Sequence, residues 1–453
     1  MKRVWKDKNF FRALFAIALP ITLQNLIASS VNMLDTLMIT SLGEASLAAV
    51  GLANQVFFFY GVTVFGVSTG SAVFIAQFWG KRDRENVKKI LGLSLSIASI
   101  IGIIFTLAAL FIPNRIMMIF SKDPEVIRLG VEYLTIVSFS YIITGLSFSY
   151  AVASRSVGNA KMPMVVSLVS FITNGIFNYL LIFGKLGFPA LGIKGAAYGT
   201  VIARVVELGL ILYSIYSGDG PLAANIKEMT NWNRNFVKRY IKTAYPVIVN
   251  EAFWSLGTVL YSIAYAKIGT EAAAAVQILN TVQNLFMTIT RGVGNACTVM
   301  VGNKIGAGEE EVAIEYANRF LILSVGLGLI LGLGLYLSSD IILSIFKNLT
   351  PQLYITSKKL LNVLALFFTV KVFNGTMIVG VLRGGGDTKF SMLLEMGAVW
   401  LVGVPLAFLG ALVFELPVYY VTPLVYSEEI VKASIGLPRI FSKKWVTNII
   451  EDM

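Results

Sequence analysis

Twelve apolar stretches, each about 18 to 25 residues long and so sufficient for a hydrocarbon core near 30 Å, dominate the chain. They can be placed at roughly 13–39, 47–76, 90–112, 131–153, 163–183, 195–216, 244–268, 272–302, 320–338, 360–382, 391–412 and 416–437. Of the 453 residues, 56% are hydrophobic and 14% charged, and mean hydropathy is +0.75. A soluble chain carries about 25% charge. The fold expected is all-α: a polytopic membrane protein of twelve transmembrane helices in two pseudo-symmetric six-helix lobes.

The two lobes come from an internal repeat. Pro20 recurs as Pro246, 226 residues on, and the same offset carries Gly43 to Gly269, Asn54 to Asn280, Gly80 to Gly306 and Phe120 to Phe346. Further along, Arg155-Ser-Val-Gly-Asn-Ala-Lys161 returns as Arg383-Gly-Gly-Gly-Asp-Thr-Lys389 at an offset of 228. The drift of two residues is a small insertion. Such a period is a domain-sized duplication, and six spans per copy put both copies into the membrane in the same orientation. The polar stretch Ser217 to Lys242, with Gly218, Gly220 and Pro221, joins them. The expected division is therefore 1–216, a linker at 217–242, and 243–453.

The charge of +12 would suggest nucleic acid in a soluble protein, but here it lies in loops and reports orientation. Alternate loops together with both termini hold about 24 Lys and Arg against about 8 in the others, which places both termini in the cytoplasm of a cell-membrane protein. The start, MKRVWKDKNFFR, resembles the basic region of a signal peptide, yet no small-residue cleavage site follows, and the apolar stretch runs on into Gln24, Asn25 and Asp35. A single cysteine, Cys297, forbids an internal disulfide, and the absence of histidine removes the commonest metal ligand and acid/base. With Cys297 in a small-residue stretch, no nucleophile and base pair is visible, so an enzyme is not expected.

Three loop features resemble sites of other kinds. Arg383-Gly-Gly-Gly-Asp387 looks like a phosphate cradle, but no strand precedes it and its repeat partner lacks the glycines, so it reads as a tight cytoplasmic turn. Gly302 to Gly308 fails the dinucleotide fingerprint for want of a strand. Glu309, Glu310, Glu311 and Glu315 read as the start of a short cytoplasmic helix, whose first turn favours acids.

The informative residues are the charges inside the spans. Asp35 is the first charge after Arg12, and an ionisable group at mid-bilayer costs roughly 2.5 to 3.5 kcal/mol, which makes it a functional candidate by default. On a helix, Asn25, Asn32 and Asp35 share one face. The other in-span charges are Arg204, Glu207, Glu251, Lys267, Arg291, Lys371, Glu395, Glu428, Glu429 and Lys432. Arg204 with Glu207, and Glu428 with Lys432, are spaced to neutralise each other along one helix, and Lys267 can snorkel to the interface. Asp35 and Glu251 differ, because each lies in the first span of its repeat with no base within a helical turn. Low dielectric disfavours the charged form of such a carboxylate, which suits proton uptake and release. Ringed by amide and hydroxyl oxygens it can instead hold sodium, or lock one helix to another. Asn174 and Asn178, one turn apart, and Thr200 on the next span read as helix-packing polar groups. Phe57, Phe58, Phe59 and the methionines are lipid-facing or packed, with a few available to line an adaptable cavity.

The order of MLDTLMITSLG in span 1, NEAFWSLGTVLYSIAYAKIGTEA in span 7, GNACTVMVGNKIGAGE closing span 8, LRGGGDTK after span 10 and VWLVGVPLAF in span 11 resembles the multidrug and toxin extrusion (MATE) transporters of prokaryotes over nearly the whole chain. The resemblance implies a secondary antiporter that exports organic, often cationic and amphipathic compounds in exchange for Na+ or H+, with no cofactor and no metal beyond a possible Na+. It implies two lobes forming a V, and a cation site at Asp35, Asn174, Asn178 and Thr200. Asn178 departs from the family pattern, an amide replacing a second carboxylate. In the second lobe Glu251 matches a family glutamate, while Lys371 and Asn374 stand where relatives carry a span-10 acid. Glu395 on span 11 is a further candidate, or a partner for Lys371 or Arg291. The partners expected are small organic substrates and membrane lipids, with no nucleic acid, for a chain acting as a monomer. The rival is a lipid-linked oligosaccharide flippase of the same superfamily, which would show a strongly basic cavity; here the in-span bases are interleaved with acids.

Overall fold

Long apolar runs without breakers fold as helices, because in lipid each segment must satisfy its own backbone groups. The computed structural model describes residues 7–346, 349–451 and 453, so the first six residues of the basic N-terminal stretch lie outside it. The first repeat holds α1 (Lys8–Thr40), α2 (Glu44–Gly80), α3 (Arg84–Phe111), the short α4 (Pro113–Phe120), α5 (Pro124–Val137), α6 (Phe139–Ser156), α7 (Lys161–Phe183) and α8 (Ile193–Tyr216). After the short α9 (Ile226–Thr230) come α10 (Arg234–Ile268), α11 (Thr270–Gly306), α12 (Glu310–Ile345) and α13 (Pro351–Gly375), which runs on in π-helical turns to Arg383. The chain ends in α14 (Thr388–Ala398), α15 (Val404–Phe408), with π-helical turns at Val399–Gly403 and Leu409–Val413, and α16 (Val418–Phe441).

Among the described residues nine helices are long and apolar enough to cross a membrane, and ten if α5 and α6, bent by 48° at Ser138, count as one span. α11 and α16 occupy the two remaining predicted spans, diluted by Gln277, Asn284 and Arg291 in one and by Glu428, Glu429 and Lys432 in the other. The protein is thus an all-helical, multi-pass membrane protein. Several helices overrun their apolar stretches at both ends, as α1 (Lys8–Thr40) does the stretch 13–39. Glu310 and Glu311 do open a helix, but α12 continues to Ile345 rather than forming a short cytoplasmic piece, because nothing between the acidic turn and the apolar run breaks it.

Helix starts follow local chemistry. The Asp83 carboxylate accepts from the Asn86 N–H, Asp123 caps α5 with Pro124 in the first turn, and the Thr350 hydroxyl caps α13 with Pro351 beside it. Asn225 and Glu228 form a reciprocal capping box on α9. Pro20 and Pro246 lie inside α1 and α10, where each removes one rung of the hydrogen-bond ladder.

The chain divides into two compact units, Leu23–Ala244 and Met1–Thr22 joined with Tyr245–Met453. The division therefore falls at Thr22 and Ala244 instead of at 217–242, and specific contacts explain it. The start of α1 is held in the second of these units by Asp7 Oδ2 on Arg319 Nη1 at 2.8 Å and by Phe10 against Phe320. A Cβ at Gly292 would lie 2.7 Å from the Ala18 carbonyl, so only glycine admits α1 there. The start of α10 belongs to the first unit, where Tyr240 and Ser71 share a 2.7 Å hydrogen bond and Phe236 stacks on Phe78. The predicted linker is docked too: Lys88 pairs with Glu228 at 2.7 Å, and Gly92 lets the Met229 backbone approach α3. Lys88 holds the Glu228 carboxyl below its ordinary range, as Arg319 does for Asp7. Each unit has its own apolar core, around Tyr60, Leu134 and Tyr141 in one and Leu361, Leu364 and Phe368 in the other.

Candidate functional site

In the unit Leu23–Ala244, α1 and α7 bring Asp35 to Asn178, whose Nδ2 donates to Asp35 Oδ1 at 2.6 Å and lies 3.3 Å from Asn174 Oδ1. Both asparagines are fully buried, and Asp35 is half-buried. Gly199 on α8 makes the room: a Cβ there would lie 2.1 Å from Asn178 Oδ1. Asn178 Oδ1 and Asn174 Nδ2 have no protein partner, which leaves an acceptor and a donor free for rearrangement or for a small guest. Thr200 is not brought to the carboxylate; its hydroxyl donates to the Ala196 carbonyl one turn back. Asn25 and Asn32 share a face of α1 with Asp35 without joining the cluster. Two further groups lie within electrostatic reach of it, one of them left out by sequence reasoning. Arg204, which binds Glu207 at 2.6 Å as its spacing foretold, acts electrostatically on Asp35, and the buried Tyr133, which the sequence did not single out, feels the charge of Asp35.

As oriented, the amide presents donor hydrogens to Asp35, whereas a sodium ion wants several oxygens converging on one point. Among the described residues no three carboxylates or other metal ligands cluster. The arrangement suits a carboxylate that exchanges a proton, and reversing the Asn178 amide would turn its oxygen toward a protonated Asp35.

The unit Tyr245–Met453 is arranged differently. Glu251 has a basic partner after all: Arg383, far away in sequence, binds Glu251 Oε1 through Nη1 at 2.7 Å and Glu395 Oε2 through Nη2 at 3.2 Å. Asn250 Nδ2 also donates to Glu395 Oε2, at 2.6 Å. Arg383 closes the π-helical turns after α13 and is only 3% exposed; it is therefore a buried clamp, and the tight turn read at Arg383–Asp387 begins after it. Glu395 pairs with neither Lys371 nor Arg291. The turn itself, with Gly386 at φ +89°, carries no phosphate cradle; it seats the C-terminal segment, where Trp445 packs on Gly385 and the Thr447 N–H donates to the Gly385 carbonyl at 2.8 Å.

Lys371 belongs to a second buried network. It binds Glu429 at 3.2 Å and lies over the Tyr426 ring, while the Asn374 amide donates to the same carboxylate at 2.8 Å. Lys432 bridges Glu428 at 3.1 Å and Glu429 at 3.5 Å. The Tyr261 hydroxyl donates to Glu428 through a gap that Gly403 keeps open. Two ammonium groups thus meet two carboxylates, and the spacing of Glu428 and Lys432 had foretold one of these pairs.

The repeat offsets join what looks unrelated. Gln24, Arg155 and Ser167 correspond to Asn250, Arg383 and Glu395. Arg155 Nη2 donates to Gln24 Oε1 at 2.7 Å, and Gln24 Nε2 to Ser167 Oγ at 2.9 Å, so each unit has an arginine gripping a side chain of α1 or α10, the Gln24 amide in one and the Glu251 carboxylate in the other. At the same offsets Asp35, Thr200 and Arg204 correspond to Tyr261, Glu428 and Lys432. The signal was present in the Arg155/Arg383 match; extending the offsets to every polar in-span residue would have found both correspondences.

A family model, MatE, matches residues 20–180 and 246–409, once in each repeat. Two curated relatives carry the name "Probable multidrug resistance protein NorM". The one from Thermotoga maritima is 26% identical over 434 residues, 96% of this chain and 93% of its own. The one from Rhizobium meliloti is 30% identical over 425 residues, 90% and 87%. Among solved structures, an "outward-facing conformation of a multidrug resistance MATE family transporter of the MOP superfamily" superposes with a TM-score of 0.85 at 20% identity, covering 95% of this chain and 96% of that one. The fold is shared.

Proposed function

The chain belongs to the MatE family of multi-pass membrane transporters, and from that premise we infer that it is a secondary antiporter exporting organic, amphipathic compounds in exchange for H+ or Na+ bound at Asp35. Its place is the cell membrane, with both termini cytoplasmic, as the distribution of Lys and Arg among the loops favours.

One observation carries the reading. Of the in-span carboxylates, Glu207, Glu251, Glu395, Glu428 and Glu429 each have a basic side chain within ion-pair distance, and Asp35 has an amide instead. A carboxylate held without a fixed counter-charge is the one free to bind a mobile cation. Deprotonated, Asp35 accepts from the Asn178 amide as observed. Once protonated, its O–H donates, and Asn178 answers by offering Oδ1, which breaks the bond from Asn178 Nδ2 to Asn174 and frees that group to re-pair. The bound cation thereby changes how α1 meets α7, below the ladder gap at Pro20. It biases the transport cycle only by its difference in affinity for the two conformations.

The test is efflux of organic fluorophores from proteoliposomes under an imposed proton gradient and then a sodium gradient. Gradient-driven flux falling to background in Asp35→Asn and persisting in Glu251→Gln is expected. Wild-type flux in Asp35→Asn would sink the assignment. A sodium drive alone would mean that Asn178 turns its oxygen to the ion.

A further inference from the structure

Lipid-facing helix surfaces are apolar, as α12 illustrates: its exposed side chains include Ile322, Leu329, Ile330, Leu333, Leu337 and Ile341. α11 breaks that rule. Gln277, Thr281, Asn284 and Arg291 are all exposed, and their spacings of four, three and seven put them on one face of the helix, with Leu285 and Ile289 beside them. Arg291 sits about 5 Å from the midpoint of a helix about 55 Å long, well inside the apolar stretch 272–302 read from the sequence. An exposed arginine at that depth faces water rather than acyl chains. Its guanidinium has no hydrogen-bond or ion-pair partner among the described residues; the charge that reaches it through space is that of Glu251, which Arg383 already holds. In the first repeat the corresponding position is the exposed Phe65, so the charge is particular to α11.

A cationic substrate needs an uncommitted acid, and α11's unit offers none within its spans. Glu251 and Glu395 are held by Arg383, and Glu428 and Glu429 by Lys432 and Lys371. What the unit does offer is an uncommitted guanidinium, a planar fork matched to carboxylate, sulfonate or phosphate. Two turns away, about 10 Å along the helix, Asn284 supplies an amide for the far end of a bound molecule, and Leu285 and Ile289 supply apolar contact.

We propose that the exposed face of α11 is the substrate-recognition surface of this transporter and that Arg291 selects amphipathic organic compounds bearing an anionic group. The proposal rests on the efflux reading and replaces the cationic substrate class that the family resemblance implies.

The test uses a matched fluorescent pair, dansylglycine and its carboxamide, with ethidium as the cation, titrated into purified full-length protein. Wild type is expected to bind the carboxylate at least about tenfold more tightly than the carboxamide, a difference within the range of one charge-assisted hydrogen-bonded contact. Arg291→Gln should erase that preference by losing carboxylate affinity alone, and Arg291→Lys should keep part of it. Equal binding of carboxamide or ethidium to wild type overturns the proposal, as does an equal loss of all three ligands in Arg291→Gln. Binding is then repeated in phosphatidylcholine vesicles with and without phosphatidylglycerol. An effect of Arg291→Gln seen only with the anionic lipid makes the residue a lipid anchor and also overturns the proposal. Because binding needs no gradient, failure of Asp35-dependent antiport leaves this readout intact, and the two ideas fail separately.

Discussion

The two repeats place ionisable groups at the same points of one helical scaffold and give them opposite charge logic. In Leu23–Ala244 the carboxylate of the first helix, Asp35, accepts from the Asn178 amide and has no ion-pair partner among the described residues. In Tyr245–Met453 the matching position is Tyr261, and the acid has moved to Glu428 at the position of Thr200, where Lys432 is already bound to it. The arginine clamps diverge likewise. Arg155 meets neutral Gln24, whereas Arg383 meets Glu251 and Glu395. On the antiport reading proposed above, the duplicated fold keeps one copy open to a mobile cation while the other supplies its cations covalently, as side chains. Tethered cations stabilise; they do not exchange.

The comparison is broken most forcefully at Arg383. Arg383→Gln leaves two buried carboxylates without their counter-charge and should destabilise the protein by about 3 to 5 kcal/mol. Thermal unfolding in detergent reads this, and adding Glu251→Gln with Glu395→Gln should recover most of it. A tolerated single variant would mean that the clamp is solvated and the contrast between the units is false.

A smaller loss is expected at the second network. Tyr261→Phe removes one hydrogen bond to a charged group while Lys432 still neutralises Glu428, which should cost about 2 kcal/mol and leave cation-driven flux in place. Loss of flux with normal folding would move coupling into this unit.

The comparison is sharpened from the other side by Asn178→Asp, which gives Asp35 a second carboxylate and an oxygen in place of a donor. Sodium should then raise the unfolding temperature more than it does in wild type, with about 1.4 kcal/mol gained at ten times the variant's dissociation constant. Choline in place of sodium is the control.

The smallest effect lies outside the membrane, at Glu228. Its folded carboxyl titrates below the ordinary range because of Lys88. The pairing therefore contributes stability above the unfolded-state value and loses it as pH falls through the lowered folded one. Hydrogen-exchange protection factors at Ile226–Thr230, corrected for the intrinsic pH dependence of amide exchange, should fall in acid, and Lys88→Ala should weaken that pH dependence while leaving transport unchanged.

The sequence by itself determined the membrane class, the twelve-span layout, the duplication and the isolation of Asp35, because apolar length, charge depletion and a fixed offset are written along the chain. The pairing of Lys432 with Glu428 was also legible, being a matter of one helical turn. Only the tertiary structure decided that Glu251 is answered by Arg383, that Lys371 belongs to Glu429, that Thr200 turns away from Asp35, and that the units divide at Thr22 and Ala244. Those outcomes depend on which helices approach one another and on where π-helical turns re-aim Arg383. Partners 58 residues apart, as Lys371 and Glu429, or 132 apart, as Glu251 and Arg383, leave no trace in local spacing, and burial makes their charges choose one another.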